Sequence, residues 1–245
     1  MKKTSLFILA AAMGVGAPLF AAESGSVIAE SRSTWYVQLG IADPVQVPVS
    51  DSNILGFRWN FFHGASHDVT GLDLGLVGCT SGDFKGLALE AVNWVEGDMR
   101  GVQFGLLFNS VGAASYGVQL GGLVNCDWVN FTGVQFAPFV NYDAAFTGVQ
   151  LGAVNWSKNL GTGLKFGLVN ADENEFHGWE VGLVNCADQL FGAQIGIANV
   201  VTKSGRGVQV GLINAADMYT GLQFGLLNLI GNAPLPVLPI VNGNF

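Results

Sequence analysis

Two histidines four residues apart, His63 and His67, have a spacing that could ligate a metal ion. No carboxylate or cysteine signature completes that set, and His63 falls where a repeated phrase places its corner residue, so a corner histidine is the expectation. The third histidine, His177, follows Asp172, Glu173 and Glu175. Three carboxylates there could bind a cation, but so polar a stretch more simply makes a solvated turn. Phosphate loops of the form Gly-x-x-x-x-Gly-Lys-Ser/Thr and nucleophile elbows of the form Gly-x-Ser-x-Gly do not occur in the sequence. Gly-x-x-Gly spacings abound, but they follow the repeat. Sugar-cleaving repeat enzymes need carboxylates clustered along one face of adjacent coils, and here glutamine holds that line. The expectation is a protein that is not an enzyme, with no catalytic residue, no metal and no cofactor.

What positions these residues is a repeat of about 15 residues, led by Gly56, Gly71, Gly86, Gly101, Gly117, Gly133, Gly148, Gly163, Gly178, Gly192, Gly207 and Gly221. Counting from that glycine, positions 2, 4 and 6 are apolar, as in Val102, Phe104 and Leu106, while positions 1, 3 and 5 are usually Gly, Gln, Gly. Alternation of period two predicts a half-buried strand. With the apolar set assigned to the core, Gln103, Gln119, Gln135, Gln150, Gln194, Gln209 and Gln223 are predicted to face outward as a contact face, and Phe166 to be buried. A large apolar residue returns one or two places before the next glycine (Phe84, Met99, Tyr116, Phe131, Phe146, Phe176, Phe191, Tyr219), which predicts a second, shorter buried element. At or beside position 8 stand Asn93, Asn109, Asn125, Asn141, Asn155, Asn170, Asn185, Asn199, Asn214 and Asn228. Asparagine tolerates positive φ, so these are predicted to be left-handed structural corners, with side chains able to stack coil upon coil.

One strand per 15 residues suits either a parallel β-solenoid or an antiparallel outer-membrane β-barrel. A barrel strand must cover an apolar belt of about 25 Å. Positions 2 to 6 span only roughly 13 Å, and about 10 Å once tilted. Turn sequences also look alike in odd and even units, which a meander does not require and a stack of coils does. The fold class expected is all-β, a parallel β-solenoid of about twelve repeats, with the barrel of one repeat per strand as the alternative. Stretches 44–51 and 235–242 read as terminal units, with Pro44, Pro48 and Pro239 in glycine places, where proline blocks edge-to-edge pairing.

Half of the residues are hydrophobic and 11% are charged, which excludes a disordered chain. Residues 1–22 carry Lys2 and Lys3, an apolar run and then small residues, the pattern of a secretory signal peptide. A linker over 23–34 and a single repeat domain over 35–245 follow. Net charge is −8, or −10 once the two leader lysines are removed. Without a basic patch, nucleic acid is excluded as a partner. Cys79, Cys126 and Cys186 each come directly after the corner place, in the second, fifth and ninth glycine-led units. Coils three and four apart are separated by roughly 14 and 19 Å. A disulfide needs Cα atoms within about 7 Å, so three free thiols are expected despite export.

The phrase G-V/L-Q-x-G-L-x-N, the entry "GLDLGLVG" after "LGFRWNFFHG" and the ending "PLPVLPIVNGNF" resemble an uncharacterised family of bacterial surface-repeat proteins, over about residues 35–245. The resemblance implies an envelope or surface location in a double-membraned bacterium and brings no catalytic residues. On it rest the expectations of an exported structural or binding scaffold, of an unidentified protein or glycan partner at the cell envelope, and of outer-membrane association. The alternative function is an outer-membrane barrel pore.

Overall fold

The computed structural model describes residues 32–245. The expected signal peptide and most of the expected linker lie outside them. Residues 32–34 already belong to the rod, since Ser33 meets Ser52 at 3.0 Å and the first strand begins at Thr34.

Among the described residues, fourteen strands form one sheet in which each successive coil lies on the one before. Neighbouring coils run parallel and in register. Gly71 pairs with Gly86, Gly86 with Gly101 and Gly101 with Gly117, and the column continues through Gly207 and Gly221. This is the β-solenoid. The barrel alternative, and with it the barrel pore, is overturned, because the outermost strands Val45–Val47 and Val237–Asn244 stand at opposite ends of the sheet.

The coils among the described residues number thirteen rather than twelve. Strand Thr34–Ala42 stacks on Asn53–Ser66 with Gln38 opposite Arg58, so "YVQLG" is a first coil with Tyr36 in the glycine place. Tyr36 is permitted there for a physical reason. All twelve leading glycines have φ between +133° and +148°, a region closed to other residues. A Cβ on Gly163 would lie 2.0 Å from the carbonyl oxygen of Gly148 in the coil beneath. Among the described residues, the first coil has no such coil beneath it.

The two proline-containing ends are not further parallel coils. Val45–Val47 folds back antiparallel on the first coil, and Val237–Asn244 folds back antiparallel on the last. Each caps its end with an outermost strand, the place where missing proline N–H groups disrupt no ladder.

Which side of the alternation is inside differs from the sequence expectation. In the coil led by Gly101, Gln103 and Asn109 are fully buried while Phe104 and Leu106 are exposed. The apolar half of the core comes instead from the residue two places before each glycine (Phe84, Met99, Phe131, Phe146, Phe176, Leu190, Tyr219) and from the second residue after the asparagine place (Val95, Val111, Ala187, Val201, Ile230). Residues one place before the glycine, Tyr116 and Phe191, point outward.

Candidate functional site

Gln103, Gln119, Gln135, Gln150, Gln194, Gln209 and Gln223 are all 0% exposed, which corrects their assignment as a contact face. The reason is that stacking turns identical carboxamides into a ladder. Five amide N–H groups donate to the carbonyl oxygen one coil away, Gln119 to Gln103 at 3.2 Å, Gln135 to Gln119 and Gln150 to Gln135 at 3.0 Å, Gln209 to Gln194 and Gln223 to Gln209 at 2.7 Å, while Gln194 donates to the Glu180 carboxylate at 2.7 Å. A buried polar group is tolerated when it has a partner, and a parallel in-register stack supplies one wherever the next coil carries the same residue.

The asparagines behave likewise. Ten of them, from Asn93 to Asn228, form nine consecutive side-chain bonds of 2.7–2.9 Å. Stacking coil upon coil is as expected. A left-handed backbone is not, because Ile240 is the sole non-glycine residue of positive φ among those described. Asparagine is selected here for its inward carboxamide, which also donates to the backbone of the following coil, as in Asn155 to the Phe166 carbonyl at 2.9 Å and Asn185 to that of Ile195 at 3.0 Å.

That second bond explains the glycine at position 5. A Cβ on Gly167 would lie 2.8 Å from Asn155 Nδ2 and 2.5 Å from the Gly152 carbonyl. Where the asparagine place holds glycine, position 5 supplies the missing side chain. Glu90 fills the space at Gly78, where a Cβ would come within 1.9 Å of Glu90 Oε2, and Asn60 fills that at Gly64. Gly64 pairs with Gly78, so the corner place of that coil belongs to Gly64, and His63 stands one place before it.

Charged residues interrupt the ladders at three levels. Arg58 binds the carboxylate of Asp73 through two nitrogens and the Cys79 carbonyl at 2.9 Å. Lys165 replaces a ladder glutamine, donates to Ser157 and to Asp172 at 2.7 Å each, and sits 5.1 Å from the Phe176 ring centroid. Between these lie Asp127 and Asp143, both fully buried, with Gln135 donating to Asp127 at 2.6 Å and to Asp143 at 2.8 Å. Gln135 thus bridges two carboxyls held in one buried site, where burial and like charge disfavour ionisation of both at once. Burial pushes Asp127 up to about 7. Burial, then the Asp127 charge, pushes Asp143 well above the usual carboxylate range. Burial and the neighbouring Asp73 do the same to Glu90, and burial and Asp172 to Glu180.

These interior carboxyls are sealed from solvent and offer substrate no approach. Among the described residues there is no group of three His, Cys, Asp or Glu side chains placed to hold a metal ion. His67 instead lies 3.1 Å from the Ser81 hydroxyl, and His177 contacts Glu175 at the surface. Cys79, Cys126 and Cys186 are free, as expected, and burial raises the pKa of all three thiols.

The feature that alternation alone did not locate is the outer surface opposite the ladders. Positions 2, 4 and 6 of successive coils build one apolar wall, represented by Trp59, Leu89, Phe104, Phe136, Phe166 and Phe224. The coil stretches behind it do contain charges, namely Arg58, Asp73, Glu90, Lys165 and Glu180. All five are at most 4% exposed and point inward. Exposed charge is concentrated on the turn edge, where Lys85 faces Asp83, Arg100 faces Asp98 and Lys203 faces Asp188. At the N-terminal end the wall deepens into an apolar groove of about 880 Å³ lined by Leu39, Val45, Val47, Trp59, Phe61 and Phe62.

No family model, curated protein or solved structure matches the chain.

Proposed function

We propose that this chain is an exported, non-enzymatic scaffold of the cell envelope of a double-membraned bacterium, and that the apolar wall is the face with which it contacts other components. One observation carries the reading: the stack turns the charges behind the wall inward and displays aromatic and aliphatic side chains along that face. Soluble monomers rarely leave contiguous apolar surface beyond a few hundred Å² uncovered, and larger patches mark interaction sites. The leader-like residues 1–22 and the similarity to surface-repeat proteins support the envelope location. The partner is a protein or glycan there, and the wall's lack of charge favours a protein with a matching apolar surface.

Cell fractionation tests this with the full chain and a variant carrying Phe104→Glu, Phe136→Glu and Phe166→Glu. The expected result is a processed wild-type chain in the envelope fraction and a folded variant released into the soluble periplasm or medium. An unprocessed cytoplasmic chain would overturn export. Equal envelope retention of both chains would overturn the role of the wall.

A further inference from the structure

Resting on that reading of the wall, we infer that its occupant is a second copy of the same chain, packed wall to wall in a closed dimer. The dimensions are sufficient. Thirteen coils span twelve intervals of about 4.8 Å, roughly 58 Å, and positions 2 to 6 span about 13 Å, so the wall offers on the order of 750 Å². A standard stable interface buries about 800 Å² per partner, and permanent homodimer interfaces are the more apolar ones.

The pattern is also self-complementary. Side chains along the wall recur at the coil spacing, so a second wall presents rows of the same pitch, and Phe104, Phe136 and Phe166 can seat between aliphatic rows as facing sheets do about 10 Å apart. A two-fold arrangement covers both walls at once and closes the assembly at two copies. End-to-end growth is opposed by the antiparallel cap strands with Pro48 beside one and Pro239 within the other.

Charge argues for this occupant over a lipid surface. Helices or sheets that lie on membranes flank an apolar face with lysine and arginine. Here Arg58 and Lys165 are turned into the core, the exposed Lys85, Arg100 and Lys203 each lie beside an aspartate, and the chain is acidic overall. Acidic charge placed on the turn edge, away from the wall, does not oppose the pairing of two walls.

The test is sedimentation velocity of the purified chain in detergent-free buffer over a hundredfold concentration range. The expected result is a single species of twice the chain mass. The Phe104→Glu, Phe136→Glu, Phe166→Glu variant should sediment as a monomer with unchanged far-UV circular dichroism, its dissociation constant raised at least a hundredfold. Should that variant not fold, Leu226→Glu, at a side chain 71% exposed in the last full coil, is expected to weaken pairing in the same direction. A wild-type monomer would overturn the inference, as would a dimer that none of these changes weakens. Flotation with phosphatidylcholine vesicles then separates the two layers of argument. A monomer that floats would replace the second copy with lipid while the wall remains the contact face. A monomer that does not float, and whose envelope retention the triple variant leaves intact, would remove both.

Discussion

The two sides of the rod are built on opposite principles. On the turn edge the arrangement is that of any globular protein: Phe131 stacks on Phe146 with ring centroids 6.5 Å apart inside, and charged residues such as Lys85 and Asp83 lie outside. On the wall side the order is inverted, with carboxamides inside and Phe104, Phe136 and Phe166 outside. The turn edge is held by the hydrophobic effect, which is indifferent to register. The wall side is held by hydrogen bonds that exist only because coils stack with like on like. An inward glutamine in an isolated strand would cost a few kcal/mol of desolvation, whereas in the ladder each carboxamide meets another. Inversion is therefore a property of the repeat and not of any single coil.

The largest expected effect is at the glycine column that enforces the stacking. Gly163→Ala places a Cβ against the Gly148 carbonyl at φ +133° and should cost about 3–5 kcal/mol, given the strain of that backbone region added to the clash. Gly167→Ala, at a place where Ala137 is accepted in another coil, should cost clearly less in the same urea melts. Equal cost would mean that the two glycines serve one role.

Next in size is a pair of phenylalanines that separates the two sides. Phe176→Ala, at a fully buried ring, should lose about 3–5 kcal/mol. Phe166→Ala, at a ring 41% exposed, should lose less than half of that in monomer stability. Reversal of the two would restore the assignment of positions 2, 4 and 6 to the core.

A smaller effect is expected with pH. Asp127 and Asp143 have folded-state values raised above the unfolded one, so the native state binds more protons than the unfolded chain. Stability is then greatest below about pH 4 as far as these groups are concerned, and falls as pH rises toward and through about 7, by up to a few kcal/mol. Glu90 and Glu180 act in the same direction. Denaturation midpoints measured from pH 4 to 8 should decline, and Asp127→Asn should flatten the decline. A midpoint that rises over this range would contradict the raised values of this buried pair.

Smallest of all is the effect of a reductant. Three thiols should titrate in denatured, unreduced chain, and the melting temperature should not change with dithiothreitol. One titratable thiol with a mapped internal bridge would contradict the coil spacing.

Much of this architecture is legible in the sequence because a solenoid writes its cross-section once per repeat. Spacing of the glycines locates the coils, parity of the turns distinguishes stacked coils from a meander, and recurrence of asparagine predicts a stacked column. Period two, however, says that two faces differ and not which is inside. Hydrophobicity suggests one answer for Val102, Phe104 and Leu106. Only the uniformity of the glutamine and asparagine rows, each a potential ladder, points to the other. Tyr36 conceals the first described coil because its place is glycine in each of the twelve coils stacked above it. Single-residue insertions, as in the coil of Gly56, displaced His63 from the corner place that Gly64 occupies. For the site, the wall-forming residues are legible as a set, but hydrophobicity assigns them inward and so puts the contact face on the glutamines directly behind them.

Hydrogen exchange of side-chain carboxamides in uniformly 15N-labelled chain tests the inversion most directly, with no substitution needed. The account predicts that carboxamide protons of Gln119, Gln135, Gln150 and the column from Asn93 to Asn228 remain protected long after solvent-exposed carboxamides have exchanged. Exchange of these glutamines as fast as a free side chain would place them on the surface and contradict the account.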